Sequence, residues 1–180
     1  VLMHIEYTPD DTYIYLQYAR NAITTHEVAF NAGEPSYGVT SPLWLAVISL
    51  TGWCGIDIYD GVKGADILMA MMALVAIYLA QRSLTGDRLL ALLTAGVFST
   101  HIWFLRWAGS GMETSLAALL SILSLHALLG RRYGMGAAWC ALLTLTRPEA
   151  SILVLMVFLA ALYLQEPIGS KAKALFMFVT

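Results

Sequence analysis

Two adjacent carboxylates, Asp10 and Asp11, stand in the run Thr8-Pro9-Asp10-Asp11. They precede an aromatic, helix-forming segment and a Gly/Pro loop, in a chain that otherwise reads as nearly all membrane helix. Ionisable groups in or beside a bilayer are expensive to keep and mark functional sites by default. A carboxylate pair of this kind can take a proton as a general base or hold an ion. Three acids also match the [ST]-x-x-[DE] capping-box pattern: Thr8 with Asp11, Ser110 with Glu113, and Thr146 with Glu149. For Glu113 and Glu149 a structural capping role and a chemical one both stand. In the first pair only Asp11 is needed for the box, which leaves Asp10 free for chemistry.

The elements that position these groups follow from composition. The chain is 59% hydrophobic and 12% charged, against roughly 25% charged in an average soluble domain. Its mean hydropathy is +0.71. An integral membrane protein is expected. The net charge of −2 offers no basic surface for nucleic acid. Cys54 and Cys140 stand alone, and His4, His26, His101 and His126 are scattered without metal-ligand spacing.

A span requires about 20 apolar residues. Residues 62–81, 89–105 and 112–129 qualify. Residues 134–164 would make one straight helix of about 45 Å, too long for a ~30 Å core. The run Thr146-Arg147-Pro148-Glu149 divides that stretch, giving segments 134–146 and 149–164. Another span begins at 172–180, so the chain reads as part of a longer polytopic protein, and no basic segment precedes an apolar one as in a signal peptide. Residues 43–52 are apolar but about half the length of a span. Ser41-Pro42 supplies an N-cap and a proline at the first helical position, so this segment reads as a re-entrant or interfacial helix.

The expected fold is all-α: a polytopic transmembrane helix bundle (62–180) behind an outer first loop (1–61) that carries the interfacial and re-entrant helices. Cytoplasmic connections collect Lys and Arg. Arg82 with Arg88, Arg131 with Arg132, and Lys171 with Lys173 then fall on one face. Asp10, Asp11, Arg20, Glu34, Asp57, Asp60, Arg106, Glu113, Arg147 and Glu149 fall on the other. Residues 12–25 read as an amphipathic interfacial helix, with Tyr15, Ala19 and Ile23 on one face and Gln17, Arg20, Asn21 and Thr24 as a polar stripe. Tyr13, Tyr15 and Tyr18 suit the headgroup region. The loop 30–42, carrying Glu34 and Tyr37, is rich in turn formers.

Five blocks then occur in order: Asp10-Asp11-Thr12-Tyr13-Ile14 with Tyr18-Ala19-Arg20-Asn21; Phe30-Asn31-Ala32-Gly33-Glu34; Tyr37-Gly38-Val39-Thr40-Ser41-Pro42-Leu43-Trp44; Gly111-Met112-Glu113-Thr114; and Leu145-Thr146-Arg147-Pro148-Glu149. Together they resemble the first outer loop and following helices of GT-C membrane glycosyltransferases, most of all the bacterial envelope arabinofuranosyl- and mannosyltransferase-like branch. Where that pattern more often reads Glu-Gly-Tyr-Thr, this chain has Ser36-Tyr37-Gly38-Val39-Thr40.

The resemblance implies a polyprenyl-phosphate-linked sugar donor, a glycan, lipid or protein acceptor, and an active site on the extracytoplasmic side of the bacterial inner membrane. It implies Asp10 as catalytic base or acceptor-positioning group, beside Asp11, with a divalent cation near these acids in some members. The leaving lipid phosphate needs cations, for which Arg147, Arg106 and Arg20 are the outer-face candidates. Glu113, Glu149 and Tyr37 complete the expected substrate-binding set. The competing readings are a polytopic transporter, whose acids would bind ions or protons, and a non-catalytic membrane scaffold, whose acids would only cap helices.

Overall fold

The computed structural model describes residues 7–34 and 38–165. Within them the chain forms eight α-helices and one 3-10 turn: α1 (Asp10–Thr24), α2 (Pro42–Trp53), α3 (Ile58–Thr85), α4 (Arg88–Thr100), α5 (Ile102–Trp107), α6 (Thr114–Leu129), α7 (Tyr133–Thr146), the 3-10 turn Pro148–Ala150, and α8 (Ser151–Gln165). The fold of the described residues is all-helical. Lys171, Lys173 and the expected span at 172–180 lie outside them, as does Tyr37.

Local sequence explains most boundaries. The Ser41 side chain accepts from the Trp44 N–H, and Pro42 occupies the first turn of α2. Asp57 and Asp87 cap α3 and α4 in the same way. Gly86, at φ 73°, ends α3 by returning its N–H to the Arg82 carbonyl. Pro148 has no N–H to continue α7, so the helix stops at Thr146 and resumes as α8.

The segment 89–105 is not one helix. It breaks at His101, where the backbone is extended. Ser99 and Thr100 direct their hydroxyls back onto the carbonyls of Gly96 and Val97, and such local bonds compete with helix propagation. Among the described residues one helix, Ile58–Thr85, is long and apolar enough to cross a membrane. It would measure about 42 Å. Several other helices are apolar but shorter.

α3 and α6 run parallel. Asp66 near the start of α3 reaches the loop before α6, and Ser83 near its end contacts His126 near the end of α6 at 3.3 Å. α7 returns antiparallel, with Gly136 against Ala127 at one end and Arg147 on Glu113 at the other. Arg82, Arg131 and Arg132 therefore gather at one end of the bundle, and Asp66, Glu113 and Arg147 at the opposite end. α2 lies across the first turns of α3: Trp44 bonds the Gly111 carbonyl beside Val62, while Thr51 packs on Gly61. Both ends of α2 thus meet the same end of α3.

The core joins the first 61 residues to the bundle. Tyr15, Tyr18 and Ala19 of α1 and Trp44, Leu45 and Ile48 of α2 pack with Val62, Leu116, Leu120 and Leu143. Along α3, the small residues Ala70, Ala73 and Ala76 are buried, whereas Leu68, Met71, Met72, Val75 and Leu79 are exposed. A helix with its small side chains inward and its large apolar ones outward inverts the pattern of a helix at a water-facing surface.

Gly109 and Gly111 adopt φ of 98° and 86° in the turn before α6. A Cβ on Gly111 would stand 2.7 Å from Thr12 Cγ2. Gly111→Ala is therefore expected to cost ~1–3 kcal/mol, read as a lower thermal midpoint of the detergent-solubilised protein.

Candidate functional site

At the end of the bundle away from the arginine-rich turns lies a cleft of about 360 Å³. Its lining includes Asp11, Ile14, Tyr15, Thr40, Glu113, Arg147 and Glu149. Four of the residues singled out by sequence therefore meet here from three parts of the chain: Asp11 from α1, Glu113 from the start of α6, and Arg147 and Glu149 from the α7–α8 junction.

Asp10 does not line this cleft. Successive helical residues are about 100° apart around the axis. Asp11, Ile14 and Tyr15 share one face by their i, i+3, i+4 spacing; Asp10, four residues before Ile14, stands at the margin of that face, outside the lining, and is exposed. Of the two acids, the one in the cleft lining is Asp11.

None of the three capping boxes forms. Pro9 is the N-cap of α1, one residue too late for Thr8, whose hydroxyl instead meets the Tyr59 hydroxyl at 3.1 Å. Asp10 and Asp11 stand in the first turn, where the helix dipole favours them. Ser110 accepts from the Met112 N–H and bonds Asp66, while Glu113 itself is the N-cap of α6 and makes no side-chain cap bond. Thr146 ends α7 and donates to the Leu142 carbonyl. Helix capping therefore does not account for Asp11, Glu113 or Glu149.

Glu113 and Arg147 form the polar centre of the cleft. Arg147 Nη2 lies 2.8 Å from Glu113 Oε1, Nε donates to the same oxygen at 2.9 Å, and Nη2 donates to Thr114 Oγ1 at 2.9 Å. The Glu113 side chain is 8% exposed and that of Arg147 34%. Glu113 Oε2 is buried and makes no hydrogen bond among the described residues. Arg147 Nη1 is likewise unengaged among them. The pair thus presents one acceptor and one cationic donor group beyond those it spends on itself.

Tyr15 shares a 3.0 Å hydrogen bond with Thr40 and closes the α1 side of the cleft. Burial, reinforced by the Glu113 carboxylate, pushes its phenol above the ordinary value of 10.0 despite the opposing Thr40 bond. The hydroxyl stays protonated at neutral pH.

The other arginines lie elsewhere. Arg106 stacks on Tyr7 at 4.5 Å and on Trp103 at 5.6 Å, and Arg20 is exposed on α1; neither lines the cleft. Arg106 is held by the faces of two rings, a favourable place for a guanidinium. Glu34 closes a small turn through Asn31. Asn21, expected in the exposed stripe of α1, is buried and donates to the carbonyls of Ala29 and Phe30, fixing the start of the following loop.

Lys63 and Asp66, which interrupt the start of the apolar span 62–81, were not among the residues singled out from the sequence, yet both are buried at this end of the bundle. Their spacing, opposite charges three residues apart in an apolar helix, was the available signal.

Among the described residues no three His, Cys, Asp or Glu side chains come together closely enough to hold a metal ion. A second cavity of about 420 Å³, between α7 and α8, has no charged side chain in its lining. Searches with family models, among curated proteins and among solved structures find no match to this chain.

Proposed function

We propose that this chain is a GT-C-type membrane glycosyltransferase that moves a sugar from a polyprenyl-phosphate donor to an acceptor hydroxyl on the extracytoplasmic side of the bacterial inner membrane. The observation that carries the proposal is the convergence of Asp11, Glu113 and Arg147 on one cleft. In the reaction the acceptor oxygen bonds the anomeric carbon, and the bond from that carbon to the phosphate oxygen breaks. Polyprenyl phosphate leaves with the electron pair, and the hydroxyl proton passes to Asp11.

Each residue has a task in this scheme. Asp11 activates a hydroxyl that is a poor nucleophile unaided. Arg147 offers Nη1 to the phosphate as negative charge accumulates there, and Glu113 fixes the plane of its guanidinium. Glu149, in the lining, and Asp10, at its margin, contribute negative potential. The acceptor is a glycan, lipid or protein hydroxyl.

A bundle of several spans in a bilayer is part of the same proposal. Its support is the apolar surface: Leu68 and Val75 on α3, Leu89 and Val97 on α4, and Ile152 and Met156 on α8 are all more than 45% exposed. Water-facing surfaces seldom carry apolar patches this extensive. A transporter reading would draw on Lys63 and Asp66, which sit in the longest apolar helix, but both are engaged with loop backbone.

The direct test is consumption of radiolabelled polyprenyl-phosphate sugar by membranes containing the protein. Turnover above that of membranes lacking it is expected, and its absence across the common bacterial polyprenyl-phosphate sugars would remove the enzyme reading. Orientation is tested separately by cysteine labelling in intact cells. Positions beside Asp10 should react with an impermeant reagent and those beside Arg131 should not. The reverse pattern would place the cleft in the cytoplasm.

A further inference from the structure

We infer that Lys63 and Asp66 are positioning residues: one helix face carries a two-charge clamp that fixes the segment bearing Asp11 against the loop bearing Glu113. Asp66 Oδ2 accepts from the Gly109 and Gly111 N–H groups, each at 2.9 Å, and from the Ser110 hydroxyl at 3.3 Å. Lys63 Nζ donates to the carbonyls of Gly109 at 2.7 Å and Ser110 at 3.3 Å. The same ammonium donates to the Tyr7 carbonyl at 2.8 Å. Asp66 is 0% exposed and Lys63 7%.

The bonds of Asp66 run through Oδ2 alone, Oδ1 being buried with no partner among the described residues, and those of Lys63 reach two separate segments. Tyr7 lies three residues before the helix that carries Asp11, and Gly111 lies two residues before Glu113. Lys63 therefore bonds both stretches of backbone that deliver Asp11 and Glu113. Thr12 donates to the Ser110 carbonyl at 3.2 Å, and Trp44 Nε1 to the Gly111 carbonyl at 3.0 Å, tying α1 and α2 to the same turn. The turn's amides meet an anion and its carbonyls meet a cation, so the division of charge matches the division of backbone groups. Hydrogen bonds to charged groups are the stronger kind, and in a dry site they hold a turn that two positive-φ glycines leave without local preference. The inference rests on the glycosyltransferase reading only in what the clamp positions, namely the base relative to the arginine.

Hydrogen–deuterium exchange of the detergent-solubilised protein, read by mass spectrometry, tests the clamp without any assumption about activity. Asp66→Ala should speed exchange across residues 107–113 by about tenfold or more, and Lys63→Met should do so across both 7–12 and 107–113. Exchange in the middle of α6 and α7 should stay as in the parent. Ser110→Ala, which removes one clamp bond and leaves both charges, should give a smaller rise confined to the turn. No change in these segments, or acceleration spread evenly through the bundle, would overturn the proposal. Exchanging the charges, Lys63→Asp with Asp66→Lys, should not restore protection, because carbonyls need a donor and amides an acceptor. Restoration would mean a simple ion pair and would also overturn it.

For sugar transfer, Asp66→Ala should lower kcat by about 100-fold with little change in KM, the signature of misplaced rather than lost binding groups. An effect on KM alone would refute the positioning role. If the parent protein transfers no sugar, the enzyme reading fails while the exchange measurements still decide the clamp.

Discussion

Asp11→Asn is expected to lower sugar transfer by about 10²–10⁴-fold, the contribution of a positioned general base, with the protein still folded and inserted. Asp11 stands on the face of α1 that carries Ile14 and Tyr15 into the cleft. An asparagine there keeps the size and polarity but accepts no proton. Stability should change little, because no capping box depends on Asp11: Pro9 is the N-cap and Thr8 is turned to Tyr59. The lost carboxylate would forgo only a helix-dipole contribution of about 0.3–1 kcal/mol. Asp10→Asn, one residue earlier and outside the lining, should retain most activity. The measurement is transfer in membranes, with expression and thermal midpoint followed alongside. If Asp10→Asn is the inactive variant and Asp11→Asn is active, the acceptor approaches α1 outside the cleft lining and the cleft is not where chemistry occurs. If both are fully active, the acids are not bases and the transporter and scaffold readings gain.

The sequence puts positions 11, 14 and 15 on one helical face, but position 10, four residues before 14, borders the same face, so spacing alone did not separate the two acids. The pattern Thr8-x-x-Asp11 pointed elsewhere because a capping box depends on register, and Pro9, with its fixed φ of −63°, takes the N-cap place. Other features were fully local and were legible. Ser41-Pro42 starts α2, and Arg147-Pro148 divides the apolar stretch 134–164, because capping hydroxyls and proline act on their immediate neighbours. The break at His101 was missed, since hydroxyls returning to the carbonyls behind them look like ordinary members of an apolar helix.

Of the residues singled out from the sequence, Asp11, Glu113, Arg147 and Glu149 meet in the cleft, but their pairing was not legible. Glu113 and Arg147 are 34 positions apart, and nothing in the linear pattern selects Arg147 over Arg106 or Arg20 as the partner of that acid. The packing of α6 against α7 makes the choice. The partners of Lys63 and Asp66 were less legible still, because they are peptide groups, which every residue has. Only two buried charges in an apolar helix signalled that something polar had to be brought to them.

The Glu113–Arg147 pair should behave as one unit in stability and as two parts in catalysis. Arg147→Ala leaves the Glu113 carboxylate buried with neither of its oxygens bonded by a cation, and an unpaired buried charge is costly. Full burial would make that ~3–5 kcal/mol. Arg147 is about one-third exposed, so water relieves part of it. A loss of about 1–3 kcal/mol is expected. Glu113→Gln in the same chain removes the stranded charge, so the double variant should recover a good part of that loss, measured by a double-mutant cycle on the detergent-solubilised protein.

Transfer should not recover with it. Removing a preorganised cation from a developing phosphate charge costs about 10²–10³-fold in rate, and relieving Glu113 replaces no positive charge. Arg147→Lys keeps the charge but cannot reproduce the Nε and Nη2 bonds to Glu113 and Thr114 while also reaching a phosphate, so it should remain well below the parent. Stability and activity that rise together in the double variant would show Arg147 to be a structural partner of Glu113 alone, and the phosphate would then have to be met by another cation, with Arg106 on its aromatic shelf the next to be tested.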